Sequence, residues 1–129
     1  MPPAPPPIVL RDPGAVVTHF APIMAAAVEI AAVGFLDPEW RLLGTSQFTG
    51  DARSVVPSMR RIVRDALAFN AVAAVLVHSH PGGDPSPSPA DLAFTRRLAT
   101  TLRAIDIVLV DHLILGSDAM ISLRERGML

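Results

Sequence analysis

His78-Ser79-His80-Pro81 and Ser88-Pro89-Ala90-Asp91 place two imidazoles and a carboxylate within fourteen residues of a chain that has four histidines. Neutral imidazole nitrogens and a carboxylate oxygen are the donors of a catalytic zinc site, which uses three protein ligands and leaves one position to water. Asp84 competes with Asp91 as third ligand. It sits in a Gly-Gly-Asp-Pro turn, where aspartate commonly serves the backbone, so Asp91 is preferred. Ser88 followed three residues later by an acid, with Pro89 between, also resembles a capping box at a helix start. The two readings are compatible, because a capped first turn can hold Asp91 toward the histidines.

Glu29 is one of three glutamates and lies in Ala-Ala-Ala-Val-Glu-Ile-Ala-Ala-Val, where a carboxylate is costly unless partnered. It reads equally as an edge-strand residue facing water or as a general base whose raised pKa suits proton transfer.

These residues need elements to position them. Val72 to Val77 reads as a buried strand running into the histidines, and side chains i and i+2 of an extended chain share a face. His78 to Ser88 then reads as a Pro/Gly/Ser loop, in which Gly82 and Gly83 let the backbone approach an ion and the prolines restrict the chain. Pro89 to Ala104 has helical spacing, with Leu92, Leu98, Leu102 and Ile105 inward. Upstream, Asp12-Pro13 opens a helix reaching about Ala26, and Val28 to Leu36 with Arg41 to Thr49 forms a hairpin across Asp37-Pro38-Glu39. Ser54 to Phe69 is a second helix, with Arg60, Arg61 and Arg64 on its polar, solvated side. Short strands over Ile107 to Val110, Leu113 to Gly116 and Ala119 to Leu123 close the chain, with Asp111-His112 as a polar pair opening a strand. The class is α/β in the broad sense, a mixed sheet flanked by helices, and not a simple βαβ repeat.

The chain has 129 residues, half of them hydrophobic, which suits one domain over residues 13–129 behind a flexible Pro-rich tail at 1–12. Its net charge of −1 argues against a strongly basic nucleic-acid surface. All basic residues are arginine, so a lysine nucleophile is excluded; cysteine is absent, which removes disulfides and thiolate ligands. The apolar stretch from Ala15 to Leu36 is interrupted by Pro22 and Glu29, and a central carboxylate would cost about 2.5–3.5 kcal/mol in a bilayer. A cytoplasmic protein without membrane association is expected.

His78-Ser79-His80-Pro81 with Ser88-x-x-Asp91 resembles the JAMM motif of JAB/MPN-domain metalloproteins. Within that superfamily the chain most resembles the bacterial RadC-like domain. The further matching runs are His78 to Ser88, Leu109-Val110-Asp111-His112-Leu113-Ile114-Leu115-Gly116, Ser122 to Gly127, and Glu29 to Asp37. The resemblance implies a JAB/MPN, cytidine-deaminase-like architecture with zinc (Zn2+) on His78, His80 and Asp91. It implies Glu29 as general acid/base and Ser88 as a group holding the metal water or the oxyanion. The activity implied is zinc-dependent hydrolysis of peptide or isopeptide amides. The alternative is a non-catalytic module of DNA repair or recombination with a structural metal, and Arg60, Arg61 and Arg64 are its candidate phosphate contacts; a metal-free scaffold is a third reading. His-Ser-His-Pro-Gly-Gly replaces the more usual His-Asn-His-Pro-Ser-Gly, which keeps the ligands and changes the loop's hydrogen-bonding groups. The helix-hairpin-helix region that often precedes such domains has no counterpart in these residues, so DNA targeting of that kind is not expected.

Overall fold

The computed structural model describes residues 2–129. In chain order the elements are α1 (Pro13–Met24), β1 (Ile30–Leu36), β2 (Leu42–Thr49), α2 (Met59–Ala68), β3 (Ala73–Ser79), α3 (Pro89–Arg103), β4 (Val108–Leu115) and β5 (Met120–Ser122). One mixed sheet runs β2-β1-β3-β4-β5. Its neighbours are antiparallel except β3 and β4, which are parallel and joined through α3. This is the expected α/β sheet flanked by helices.

Strand β1, and β3 as far as Val77, are apolar because both faces of the sheet are covered. On one face Ala31, Val33, Phe35, Ala74 and Leu76 pack with Ile62, Ala66, Leu98 and Leu102 of α2 and α3. On the other, Ala32, Leu36, Val75, Val77 and Leu113 pack with Val16, Phe20 and Met24 of α1. Among the described residues, no helix is long and apolar enough to cross a membrane.

Four expectations change. Helix α2 begins at Met59, not Ser54: Pro57 disfavours helical geometry in the residue before it, and Ser58 caps the helix by accepting from the Arg61 N–H at 3.1 Å. Strand β3 runs through Ser79, so His78 is a strand residue and not the start of the loop. There the Ser79 hydroxyl accepts from the Ile30 N–H at 2.9 Å, which ties the strand end to β1. The N-terminal stretch is anchored from Ile8 onward: the Leu42 and Leu10 N–H groups donate to Ile8 and Trp40, and Leu10 is buried.

The fourth change concerns the C-terminal strands. Residues 107–110 and 113–116 do not form two strands with a polar pair between, because β4 is continuous through Asp111 and His112. The ladder slips there: Ala74 pairs with Leu109, but Val75 pairs with Asp111. The bulge sends both Val110 and Asp111 toward the α1 side and returns His112 to the α3 side, breaking the period-two pattern at that point.

Candidate metal centre

Register sets the site. Ala31 of β1 pairs with His78 of β3, and continuing that antiparallel ladder by two residues brings Glu29 opposite His80. Both pairs share the face of Leu76, the α2/α3 face. Glu29 is pinned by its own backbone as well: its N–H donates to Asp51 at 2.7 Å and its carbonyl accepts from Gly50 at 2.8 Å. Of its two sequence readings, the water-facing edge position is not what is observed, because Glu29 is buried.

Helix α3 supplies the other carboxylate. The Ser88 hydroxyl accepts from the Asp91 N–H at 3.0 Å, while Asp91 Oδ2 accepts from the Ser88 N–H at 2.9 Å. The capping box is therefore complete with aspartate in the place of the usual glutamate. Asp84 has a different task. Its carboxylate accepts from the Ser86 N–H and hydroxyl, and its backbone carbonyl meets His80 Nδ1 at 3.0 Å. Gly82, at φ 65°, makes the turn after His80.

Four side chains close into a ring. His78 Nε2 stands 3.4 Å from Glu29 Oε1, and His78 Nδ1 stands 3.5 Å from Asp91 Oδ1. His80 Nε2 lies 3.7 Å from Glu29 Oε1 and 3.2 Å from Asp91 Oδ2. Single donor atoms of Glu29, His78 and His80 lie within 4.8 Å of one another, an arrangement that could hold a metal ion. His78 Nε2 is buried without a hydrogen-bond partner.

The tautomer of His80 follows from its neighbours. A backbone carbonyl only accepts, so His80 Nδ1 carries the hydrogen donated to Asp84. Its Nε2 then faces two carboxylates and lies within hydrogen-bond distance of Asp91 Oδ2. Nε2 stands where a cation would be shared with both carboxylates, and an imidazole whose other nitrogen donates to a backbone carbonyl is the usual form of a metal-ligating histidine. The donor set of imidazole and carboxylate fits zinc.

The charges are tuned in opposite directions. Burial raises the Glu29 carboxyl above its ordinary value, an effect that Asp91 and Asp51 reinforce and His80 opposes. Burial would raise Asp91 too, but the bond from the Ser88 backbone and the facing imidazoles outweigh it, so Asp91 is held low and ionised. Burial drives His78 down to about 4 and keeps it neutral, although Asp91 works the other way.

His112, which sequence reasoning assigned to a strand opening, lies within the site wall and is 1 % exposed. Its ring stacks on His78 with centroids 5.9 Å apart. Thr95 Oγ1 donates to the Asp91 carbonyl at 2.7 Å, and its single hydrogen is thereby used. The 2.6 Å contact between Thr95 Oγ1 and His112 Nδ1 must then run from His112. His112 Nε2 is left unprotonated, buried and unpartnered; burial holds this ring neutral, its pKa pushed down to about 3. A histidine inside a run as apolar as Val108–Leu115 was the available signal, but its face depended on the bulge. Its neighbour Asp111 is accounted for by packing: it accepts from the His112 and Arg124 N–H groups and the Ser122 hydroxyl, tying β5 and the C-terminal segment to β4.

The cluster opens into a cavity of about 400 Å³ whose other walls are Arg53 to Pro57, Ala90 and Phe94. Two of the three α2 arginines are engaged elsewhere: Arg61 and Arg64 both pair with Asp65, and Arg61 also lies over the Phe48 ring at 4.6 Å.

Comparison with known proteins identifies the family. The family model described as RadC-like JAB domain matches residues 10–128. The chain belongs to the RadC-like JAB domain family. A UPF0758 protein of Xanthomonas oryzae pv. oryzae (strain PXO99A) is 42% identical over 122 residues, covering 93% of this chain and 54% of that protein. A UPF0758 protein of Xanthomonas campestris pv. campestris (strain 8004) is 43% identical over 122 residues, with 92% and 53% covered. One from Cellvibrio japonicus (strain Ueda107) is 43% identical over 106 residues, with 80% and 46% covered. The chain thus spans about half the length of the curated relatives it matches. The UPF0758 names carry no activity.

Proposed function

We propose that this RadC-like JAB domain is a zinc-dependent hydrolase of the JAMM type that acts on peptide or isopeptide amides. The observation that carries the reading is His80, which donates through Nδ1 to a backbone carbonyl and turns Nε2 toward Glu29 and Asp91, 3.7 and 3.2 Å away. His78, His80 and Asp91 would hold the metal. Bound zinc supplies Lewis-acid polarisation of a carbonyl and lowers the pKa of water to about 7.

The chain's own residues divide the remaining work. Asp91 is kept ionised by its helix cap and so suits a permanently anionic ligand. Glu29 has a raised pKa and no hydrogen bond from either imidazole, which suits a carboxylate that accepts a proton from water and returns it to the departing nitrogen. The Ser88 hydroxyl accepts from Asp91 and keeps its own hydrogen, available to a developing oxyanion in the cavity it lines.

The test has two parts. Purified protein should carry about one zinc per chain, lost in His80→Ala and Asp91→Asn; full retention in both variants would overturn the ligand set. Glu29→Gln should keep zinc and abolish hydrolysis of a peptide library that the parent protein cleaves.

A further inference from the structure

We propose that the cavity beside the histidines selects substrates ending in an apolar residue with a free carboxylate, the carboxylate held by Arg53. The proposal deepens the hydrolase reading and rests on it for the bond that is cut.

The segment from Arg53 to Pro57 builds this wall. It is not helix, and it is fixed against Glu29 by backbone bonds: Glu29 N–H to Asp51, Gly50 N–H to Glu29, and Asp51 N–H to Ser54 at 2.9 Å. A Cβ on Gly50 would stand 1.9 Å from the Ser54 carbonyl oxygen, so this fold-back needs glycine. The wall therefore keeps a set place relative to the catalytic end. It presents Val55 and Val56, with Phe94 of α3 also lining the cavity. Val56 is 85 % exposed, apolar surface in the lining that a bound apolar group would cover.

Charge gives the cavity a direction. Glu29 and Asp91 stand at the histidine end and would repel a substrate carboxylate there. Arg53 is the one arginine in the lining, and no acidic side chain among the described residues pairs with its guanidinium. The nearest acid in sequence, Asp51, is turned to the backbone: its Oδ1 accepts from the Arg53 and Ser54 N–H groups at 2.8 and 2.9 Å. A free cation beside an apolar wall recognises a terminal apolar residue by its carboxylate, and the two carboxylates beside the histidines disfavour the same group there.

The probes are N-acetyl-leucine and N-acetyl-leucinamide, titrated into the isotope-labelled full chain in EDTA, which removes any metal as a rival for the carboxylate. Amide signals of Arg53 to Val56 and of Phe94 should move, with the acid binding about three- to fivefold more tightly than the amide. Arg53→Gln should erase that preference and leave the amide's affinity unchanged. Equal binding of the two probes, a preference that survives Arg53→Gln, or no shift with either probe overturns the proposal. The zinc measurement on His80→Ala is independent of these titrations, so failure of the metal centre and failure of the Arg53 subsite are told apart.

Discussion

Ala31 on β1 sits directly opposite His78 on β3. That pairing decides where Glu29 goes, because a slip of one residue would turn every side chain of β1 to the other face. Glu29, just ahead of β1, would then leave the α2/α3 face, and His78 and His80 would meet no buried carboxylate from that side. The chemistry of the site is therefore a consequence of sheet register.

Acid should destabilise the metal-free protein. The His78 pKa falls from 6.5 to about 4 in the folded state, so between those values the unfolded chain binds more protons. Stability is then fully present above pH 6.5 and is lost as pH falls toward 4. His112 adds to the same loss, down to about 3. Glu29 works against it, since its raised pKa favours the folded state on acidification. Urea titrations of EDTA-treated protein should show a lower midpoint at pH 5 than at pH 7, and His78→Gln should flatten the difference. An unchanged midpoint in the parent protein would contradict the buried, neutral assignment.

Ser88→Ala removes the acceptor for the Asp91 N–H at the start of α3. It should cost about 1 kcal/mol of stability. It should also weaken zinc binding by about 10- to 100-fold, because the turn that aims Asp91 loosens. Competition with a chromogenic chelator reads the second effect, and Ser88→Thr should restore most of both.

His112 can be divided into its two nitrogens. Asparagine keeps a donor near Nδ1 for Thr95, whereas glutamine places its amide nearer Nε2. His112→Gln and Thr95→Val should each lose about 1–3 kcal/mol, the cost of leaving a buried polar group unpaired. His112→Asn should be milder. The opposite order in urea denaturation would mean that Nε2, and not the bond to Thr95, is what the fold depends on.

Gly50→Ala should release the loop that brackets Glu29. The added methyl collides with the Ser54 carbonyl, a backbone atom that cannot rotate aside. A loss of about 1–3 kcal/mol is expected, with amide shifts concentrated over residues 50–57 and at Glu29. Shifts scattered over the sheet would speak against a local role.

Much of the site was legible in the residues themselves. The types and spacing of His78, His80, Ser88 and Asp91 gave the donor set, because i and i+2 on an extended chain share a face and a Ser-x-x-Asp cap orients the first helical turn. The apolar setting of Glu29 left a water-facing edge carboxylate and a partnered general base equally open. The helices and most strands followed from periodicity, which reports local geometry. What only the tertiary structure decided were relations between distant segments. Register placed Glu29 opposite His80. A bulge opposite Ala74 and Val75 turned His112 onto the site face and joined two expected strands into one. Pro57 and the fold-back at Gly50 made a cavity wall of residues whose spacing resembled the start of a helix. None of these leaves a local pattern in the chain, since each is set by hydrogen bonds and packing between strands far apart in sequence.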